Sequence, residues 1–338
     1  MVTMKDIADK VGVTKQTVSQ VLNNYKAHMV GKTTREKIKQ VARELNYKPN
    51  RLAQVFRSGR TQMIGVETGI AASFQFGHYY LDGIYQGISD ECRKKNYKLV
   101  VDNFFHDAES SRELNQGRLV DGVIFVLISS EMPHFRQRIG EELKNTGIPY
   151  AVIHSLREDQ GCNNVGLDCV HGGKLAVEHL REHGYRSIRF VLSEDPSLMM
   201  NDLVEGYRQG CKGLPELMYR ITIGGYDGGI DLAKKVGNGR KERPRAFLVS
   251  EDSVAYGMIT GFREMGLKVP EDVAVIGFGD QADQTVLQTD LTTIKQPARE
   301  KGQQAVKMVL GQLNNSKKKN SFKLIKPELV IRGSCGCK

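Results

Sequence analysis

The chain predicts an all-α N-terminal module followed by an α/β core of two doubly wound parallel-sheet subdomains. Three observations carry this. Within residues 1–60, apolar side chains recur at i, i+3, i+4 and i+7, the spacing of one helix face. From residue 61 onward, short continuous apolar runs alternate with amphipathic stretches, the pattern of parallel strands covered on both faces by helices. The 338 residues, 40% hydrophobic and 26% charged, accommodate two or three globular domains at about 100–200 residues each.

In the first module Met4, Ile7, Ala8 and Val11 form an apolar stripe on a short helix, and Thr3 with Asp6 three residues on marks its start. Gly12 ends it, because glycine takes the left-handed conformation without steric cost. Thr14 caps a second helix in which Val18, Val21 and Leu22 point inward, leaving Lys15, Gln16, Thr17, Ser19 and Gln20 for the outside. A third helix is expected from about Thr33 to Leu45, with Ile38, Val41, Ala42 and Leu45 on its inner face. Two short helices joined by a tight glycine turn make a helix-turn-helix, whose second helix enters the major groove of DNA. Lys15, Gln16 and Gln20 are the expected readers, since Lys donates to guanine O6 and N7 and Gln pairs with adenine N6 and N7.

The charge distribution points the same way. The formal net charge is +10, and residues 1–60 hold nine of those charges, with thirteen Lys or Arg against four Asp or Glu. A small basic module on a near-neutral body is the footprint of a chain that meets a polyanion at one end only.

In the body, strands are expected at Met63 to Val66, Lys98 to Asp102, Val120 to Ile128 and Tyr150 to His154, then at Ile188 to Leu192, Arg220 to Ile223, Arg245 to Ser250 and Val273 to Gly277. The two groups divide near Ser155, giving two similar α/β subdomains with a cleft between them, and ligands of open α/β sheets bind beyond the strand carboxyl ends. Strands crossing near Ile153, Thr293 and Leu324 form the expected hinge.

Thr3 to Asn23, then Thr34, Arg35 and Glu36, Asn46 to Asn50, and Arg57 to Thr61 resemble the headpiece and hinge of the lactose-repressor (LacI/GalR) family. The likeness extends over the body through Val120 to Gly122, Val165 to Asp168, Gly206 and Tyr207, Pro270 to Val273, Leu291 to Pro297 and Pro327 to Val330. It implies a headpiece at residues 1–48, a hinge helix and linker at 49–61, and a periplasmic-binding-protein-like effector-binding and dimerisation core at 62–338. Within that core the first subdomain is expected at about 62–154 and 295–322, the second at about 155–292 and 324–338. The resemblance further implies a cytoplasmic, allosteric, homodimeric repressor of operator DNA, contacting it through Thr3, Thr14, Lys15, Gln16, Thr17, Ser19, Gln20, Asn23, Thr34, Tyr47, Asn50, Arg51, Ala53, Phe56 and Arg57. Asn50 and Ala53 would approach the minor groove, and Phe56, standing where the family usually has Leu, would be the wedge that opens a base step. Gln20 stands where many members have Arg, which shifts the expected half-site there towards adenine. The loop from Asn24 to Val30 is about two residues longer than the family pattern.

A small-molecule effector is implied in the cleft. The positions that grip sugars in familiar members read His154, Leu203, Glu251 and Gly279 where Asp, Arg, Asn and Asp are usual, so an ordinary neutral sugar loses several charge-assisted bonds. Phe74 and Phe76 can stack on a ligand ring, Gln296 can hydrogen-bond, and His154 with Glu251 admits an amine-bearing effector. The alternative is a DNA-binding regulator whose cleft is vestigial and which answers to a protein partner.

Other classes find less support. The sequence contains no GxSxG, GxxxxGK[ST] or HExxH motif and no GxGxxG after the first strand, so neither an enzyme nor a cofactor is expected. A periplasmic binding protein would leave residues 1–60 unexplained, and the N-terminus does not read as a secretory signal. No apolar run reaches the roughly 18 residues of a membrane span. No Leu heptad follows Arg332, so no C-terminal coil is expected. Six scattered cysteines argue for reduced thiols. His78, His171 and His183 have no partner carboxylate at ligand spacing, and Cys335 and Cys337 read as an inert, frayed tail, because no His or Cys cluster lies nearby in sequence to complete a metal site.

Overall fold

The computed structural model describes residues 2–23, 26–48, 59–68, 79–101, 119–127, 147–154, 162–193, 198–238, 244–280, 290–315 and 320–337. They belong to two compact units, residues 1–60 and 61–338.

Among the described residues, the first unit has three α-helices around one small core. α1 (Met4–Val11) starts at Thr3, whose hydroxyl accepts from the Asp6 N–H while the Asp6 carboxylate accepts from the Thr3 N–H, a reciprocal capping box. The bonds from the Thr3 backbone and hydroxyl hold the Asp6 carboxyl below its ordinary pKa. Gly12, at φ 79°, closes α1 in the left-handed region, where a side chain would be strained. α2 (Lys15–Leu22) is capped by Thr14, which accepts from the Thr17 N–H at 3.1 Å. α3 (Lys32–Glu44) follows a single 3-10 turn at Ala27–Met29. Ile7, Ala8, Val18, Val21, Ile38, Val41 and Ala42 meet in the middle.

The second unit contains two six-stranded sheets. β1 (Met63–Thr68), β2 (Lys98–Val101), β3 (Gly122–Val126), β4 (Tyr150–Ile153) and β5 (Asn164–Leu167) form the first, completed by β11 (Phe322–Ile325) in the order β11-β5-β4-β3-β1-β2, parallel throughout. β6 (Ile188–Ser193), β7 (Leu217–Ile221), β8 (Ala246–Val249), β9 (Ala274–Gly279), β10 (Thr292–Lys295) and β12 (Glu328–Val330) form the second, in the order β12-β10-β9-β8-β6-β7; only β12 runs antiparallel. α4 (Tyr79–Lys94) and α9 (Ala298–Asn314) pack on the first sheet. α5 (Cys169–Glu182) and α6 (Leu198–Gly210) cover one face of the second sheet, and α7 (Gly225–Gly237) and α8 (Asp252–Glu264) the other.

Alternation along the strands explains the continuous apolar runs. In β8, Ala246 and Leu248 point to the α5/α6 face while Phe247 and Val249 point to the α7/α8 face. α5 and α6 approach closely because Gly206 faces the Val170 carbonyl, where a Cβ would overlap the oxygen.

Several expected boundaries move. β5 lies beyond the division near Ser155 yet pairs with β4 and β11 in the first sheet. The first crossing between sheets therefore follows Leu167, at the start of α5, rather than Ile153; the others run from β10 to α9 and from β11 to β12. The strand expected at Arg220 to Ile223 is β7, which begins at Leu217; as an edge strand it is only half buried along most of its length, so its apolar signal is weak. The C-terminus is not frayed. The Ser334 carbonyl accepts from Val275 N–H at 2.8 Å, the Ser334 N–H donates to the Asp290 carbonyl at 2.9 Å, and Cys335 is wholly buried. No described helix is long and apolar enough to cross a membrane.

Candidate functional site

α2 presents its amino-terminal end with Thr14, Lys15 and Gln16 exposed and Thr17 and Gln20 half exposed. Thr14 and Thr17 share a hydroxyl contact at 2.9 Å in addition to the cap, which fixes the first turn and leaves Lys15 and Gln16 projecting from a rigid base. A helix amino terminus also carries free N–H groups and a positive partial charge, both suited to a phosphate. Lys and Gln here can therefore serve base edges while the backbone beneath them is held.

Not every expected contact residue faces outward. Ser19 is 4% exposed and packs inside the headpiece, a correction to its expected outer position. Its hydroxyl and carbonyl accept from the Asn23 amide at 3.1 and 3.0 Å, so the pair closes the end of α2. Thr3 stays exposed while serving as a cap, Thr34 is half buried in the first turn of α3, and Tyr47 is half buried against the core with its phenol raised above its ordinary pKa by burial. Asn50, Arg51, Ala53, Phe56 and Arg57 lie outside the described residues, as do Phe74 and Phe76.

The expected effector residues divide among three places. Glu251, Gly279 and Gln296 stand at the carboxyl ends of the neighbouring parallel strands β8, β9 and β10, where open α/β sheets bind ligands. Glu251 is the N-cap residue of α8 and accepts from the Ser253 hydroxyl at 3.3 Å. His154 follows β4 in the first sheet; it is 1% exposed, and its carbonyl accepts from the buried Lys301 ammonium at 2.7 Å. Leu203 is a correction: its side chain is 1% exposed inside the α5/α6 core, so it packs rather than faces a ligand.

The same edge contains polar groups that sequence patterning does not single out. Asp280, directly after Gly279, is 7% exposed and accepts from Arg332 at 2.7 Å, with Lys295 at 3.8 Å. Asp252 is fully buried and accepts from the Thr293 hydroxyl at 2.6 Å, tying α8 to β10. A buried acid of this kind breaks the apolar pattern of its helix, which is the one sequence signal it leaves.

A basic helix-turn-helix headpiece joined in one chain to a two-sheet α/β core defines a DNA-binding transcriptional regulator. Residues 3–50 match the model of bacterial regulatory proteins of the lacI family, and residues 177–335 match a periplasmic binding protein-like domain. The NTD biosynthesis operon regulator NtdR of Bacillus subtilis is 31% identical, covering 99% of this chain and 100% of its own. Catabolite control protein A of Priestia megaterium is 28% identical over 98% of this chain and 99% of its own. The crystal structure of the lac repressor dimer bound to operator and the anti-inducer ONPF superposes with a TM-score of 0.74 at 26% identity, covering 99% of each chain. The chain belongs to the lacI family of bacterial regulatory proteins.

Proposed function

We propose that the protein is a homodimeric repressor, that the exposed amino-terminal face of α2 reads its operator, and that a small molecule at the carboxyl edges of the two sheets controls its affinity. The observation that carries this reading is the α2 terminus: Lys15 and Gln16 project from a capped helix in a segment with nine net positive charges. Each half-site is read by Lys15, Gln16 and Gln20, while Thr3, Thr14, Thr17, Asn23, Thr34 and Tyr47 position the headpiece and residues 49–58 engage the minor groove at the operator centre. The lac repressor dimer with operator and anti-inducer supports the dimeric assembly and the pairing of DNA with a small molecule. Glu251, a carboxylate at the edge of β8, suits an amine-bearing effector better than a neutral sugar.

Selection of bound duplexes from a random pool tests the headpiece. A near-palindromic site of about 14–20 base pairs is expected, with affinity falling steeply as salt rises. Gln16→Ala should weaken that site about 5- to 150-fold, the equivalent of one lost base contact at about 1–3 kcal/mol, and leave random-sequence binding unchanged. Equal loss on both DNAs, or a flat salt response, overturns the assignment. Calorimetric titration of amine-bearing and neutral metabolites against wild type and Glu251→Ala tests the effector reading, which fails if both proteins bind every ligand alike.

A further inference from the structure

The C-terminal cysteines converge with His179 of α5 and with His183, the residue that caps the carboxyl end of that helix. Cys337 Sγ lies 3.3 Å from His179 Nε2 and 3.1 Å from His183 Nε2. Cys335 Sγ lies 3.3 Å from the same His179 nitrogen and 3.4 Å from Cys337 Sγ. We propose that His179, His183, Cys335 and Cys337 are the four ligands of a structural site for a borderline-soft divalent cation, zinc, which fastens the end of the chain to α5.

Each part of the local structure serves this geometry. His183, the C-cap of α5, is four residues after His179 and still donates its N–H to the His179 carbonyl, so the two rings lie one turn apart on the same side. Gly336, at φ 92°, turns the backbone between the cysteines in a way that a side chain would strain, and both sulfurs fall on one side. The His183 Nδ1 sits 2.9 Å from the His179 carbonyl and donates to it, which leaves the Nε2 lone pair for a metal. The Thr292 hydroxyl donates to Cys335 Sγ at 3.1 Å, an outer contact of the kind that steadies a ligating thiolate.

The donor set selects the ion. Two imidazoles and two thiols exclude the hard, oxygen-seeking magnesium and calcium and match the Cys2His2 set of tetrahedral zinc. With Zn–S near 2.3 Å and Zn–N near 2.0–2.1 Å, a tetrahedron places its ligand atoms about 3.3–3.8 Å apart. Four of the six ligand–ligand separations, those given above, are within about half an ångström of that range. The ligand atoms of His179, His183 and Cys337 all lie within 4.8 Å of one another, while Cys335, in contact with His179 and Cys337, stands outside that trio and has to draw towards His183 to complete the tetrahedron. Burial is graded from Cys335 and His179 inside to His183 at the surface, giving the ion a route from solvent. With four protein ligands the coordination shell is closed, which marks a structural role. The ion would close a loop from α5, just after the first crossing, to the tail that follows the third, and so hold the second subdomain together.

Metal analysis of the untagged full chain, purified under reducing conditions, tests this. One zinc per chain is expected, with a fall in melting temperature on chelation that added zinc reverses. Cobalt(II) should give the intense visible bands of a tetrahedral site together with thiolate charge transfer. Cys337→Ser at a partly buried position on the edge of the core and His183→Gln at an exposed one should each weaken zinc binding by about a hundredfold or more and abolish the zinc-dependent rise in melting temperature. Substoichiometric zinc that does not raise the melting temperature, weak octahedral cobalt bands without thiolate charge transfer, unaltered binding in both variants, or a Cys335–Cys337 disulfide in freshly isolated protein would each overturn the site.

Discussion

Replacing Ile38 by Ala should destabilise the headpiece and leave the rest of the protein intact. Ile38 is wholly buried among Ile7, Val18 and Val41, and every side chain of that cluster comes from the first unit. Truncating a buried Ile to Ala costs about 2–5 kcal/mol. A module of roughly 45 ordered residues has only about 2–7 kcal/mol of net stability at the usual 0.05–0.15 kcal/mol per residue. Even a 3 kcal/mol loss raises its unfolded population about 150-fold. Trypsin is a direct assay, because the segment carries thirteen Lys or Arg. Cleavage within residues 1–60 should accelerate by at least about tenfold, operator affinity should fall with it, and the main thermal transition of the core should stay in place. Ile38→Val, costing about 0.5–1.5 kcal/mol, should fall between the two proteins. Unchanged protease resistance, or a core transition lowered in step with the headpiece, would refute an independent headpiece core.

Three further outcomes concern the second subdomain. Tyr207 is wholly buried, with its hydroxyl 2.9 Å from the Ile188 carbonyl and accepting from the Leu217 N–H at 2.8 Å; Tyr207→Phe should cost about 1–3 kcal/mol in urea unfolding. Burial raises the Tyr207 pKa in the folded state, so its contribution is complete below the unfolded value near 10 and is lost as pH rises beyond it; stability should decline more steeply there in wild type than in Tyr207→Phe. Asp280→Asn removes the charge that Arg332 holds at 2.7 Å and should cost about 1.5–3 kcal/mol, with little relief in added salt because the acid is buried; an unchanged melting temperature would contradict this.

The headpiece is the part most legible in the chain, because its information is local. Thr3 with Asp6, Gly12, Thr14 and the apolar triplets and quartets act within one or two helical turns, and the helices begin and end within a residue of where those signals place them. Ser19 fails because residue type was a poor guide to facing: a small hydroxyl can sit inside when Asn23 satisfies it. The sheets show a similar split. Fully covered strands such as β3 and β8 announce themselves as apolar runs, whereas β5, with Asn164 and Gly166 among its four residues, is defined by its pairing with β11. Long-range chemistry is hidden for the same reason. Cys335 meets His179 across 156 positions, and each half of that cluster, a pair of histidines four apart and a Cys-Gly-Cys, is unremarkable by itself.

The order in which the strands are laid down also constrains how the molecule is made. The first sheet needs β11, and its apolar face needs α9, yet both are synthesised after nearly all of the second subdomain. Until then a nascent chain leaves the edge of β5 unpaired and the inner faces of Ile64, Ile124 and Ile153 without their α9 cover. The headpiece, whose described core contacts are local and all lie within residues 4–47, can fold long before. Translation therefore releases the finished headpiece ahead of the completed core, and in the interval the first sheet stands with one edge open and one apolar face bare.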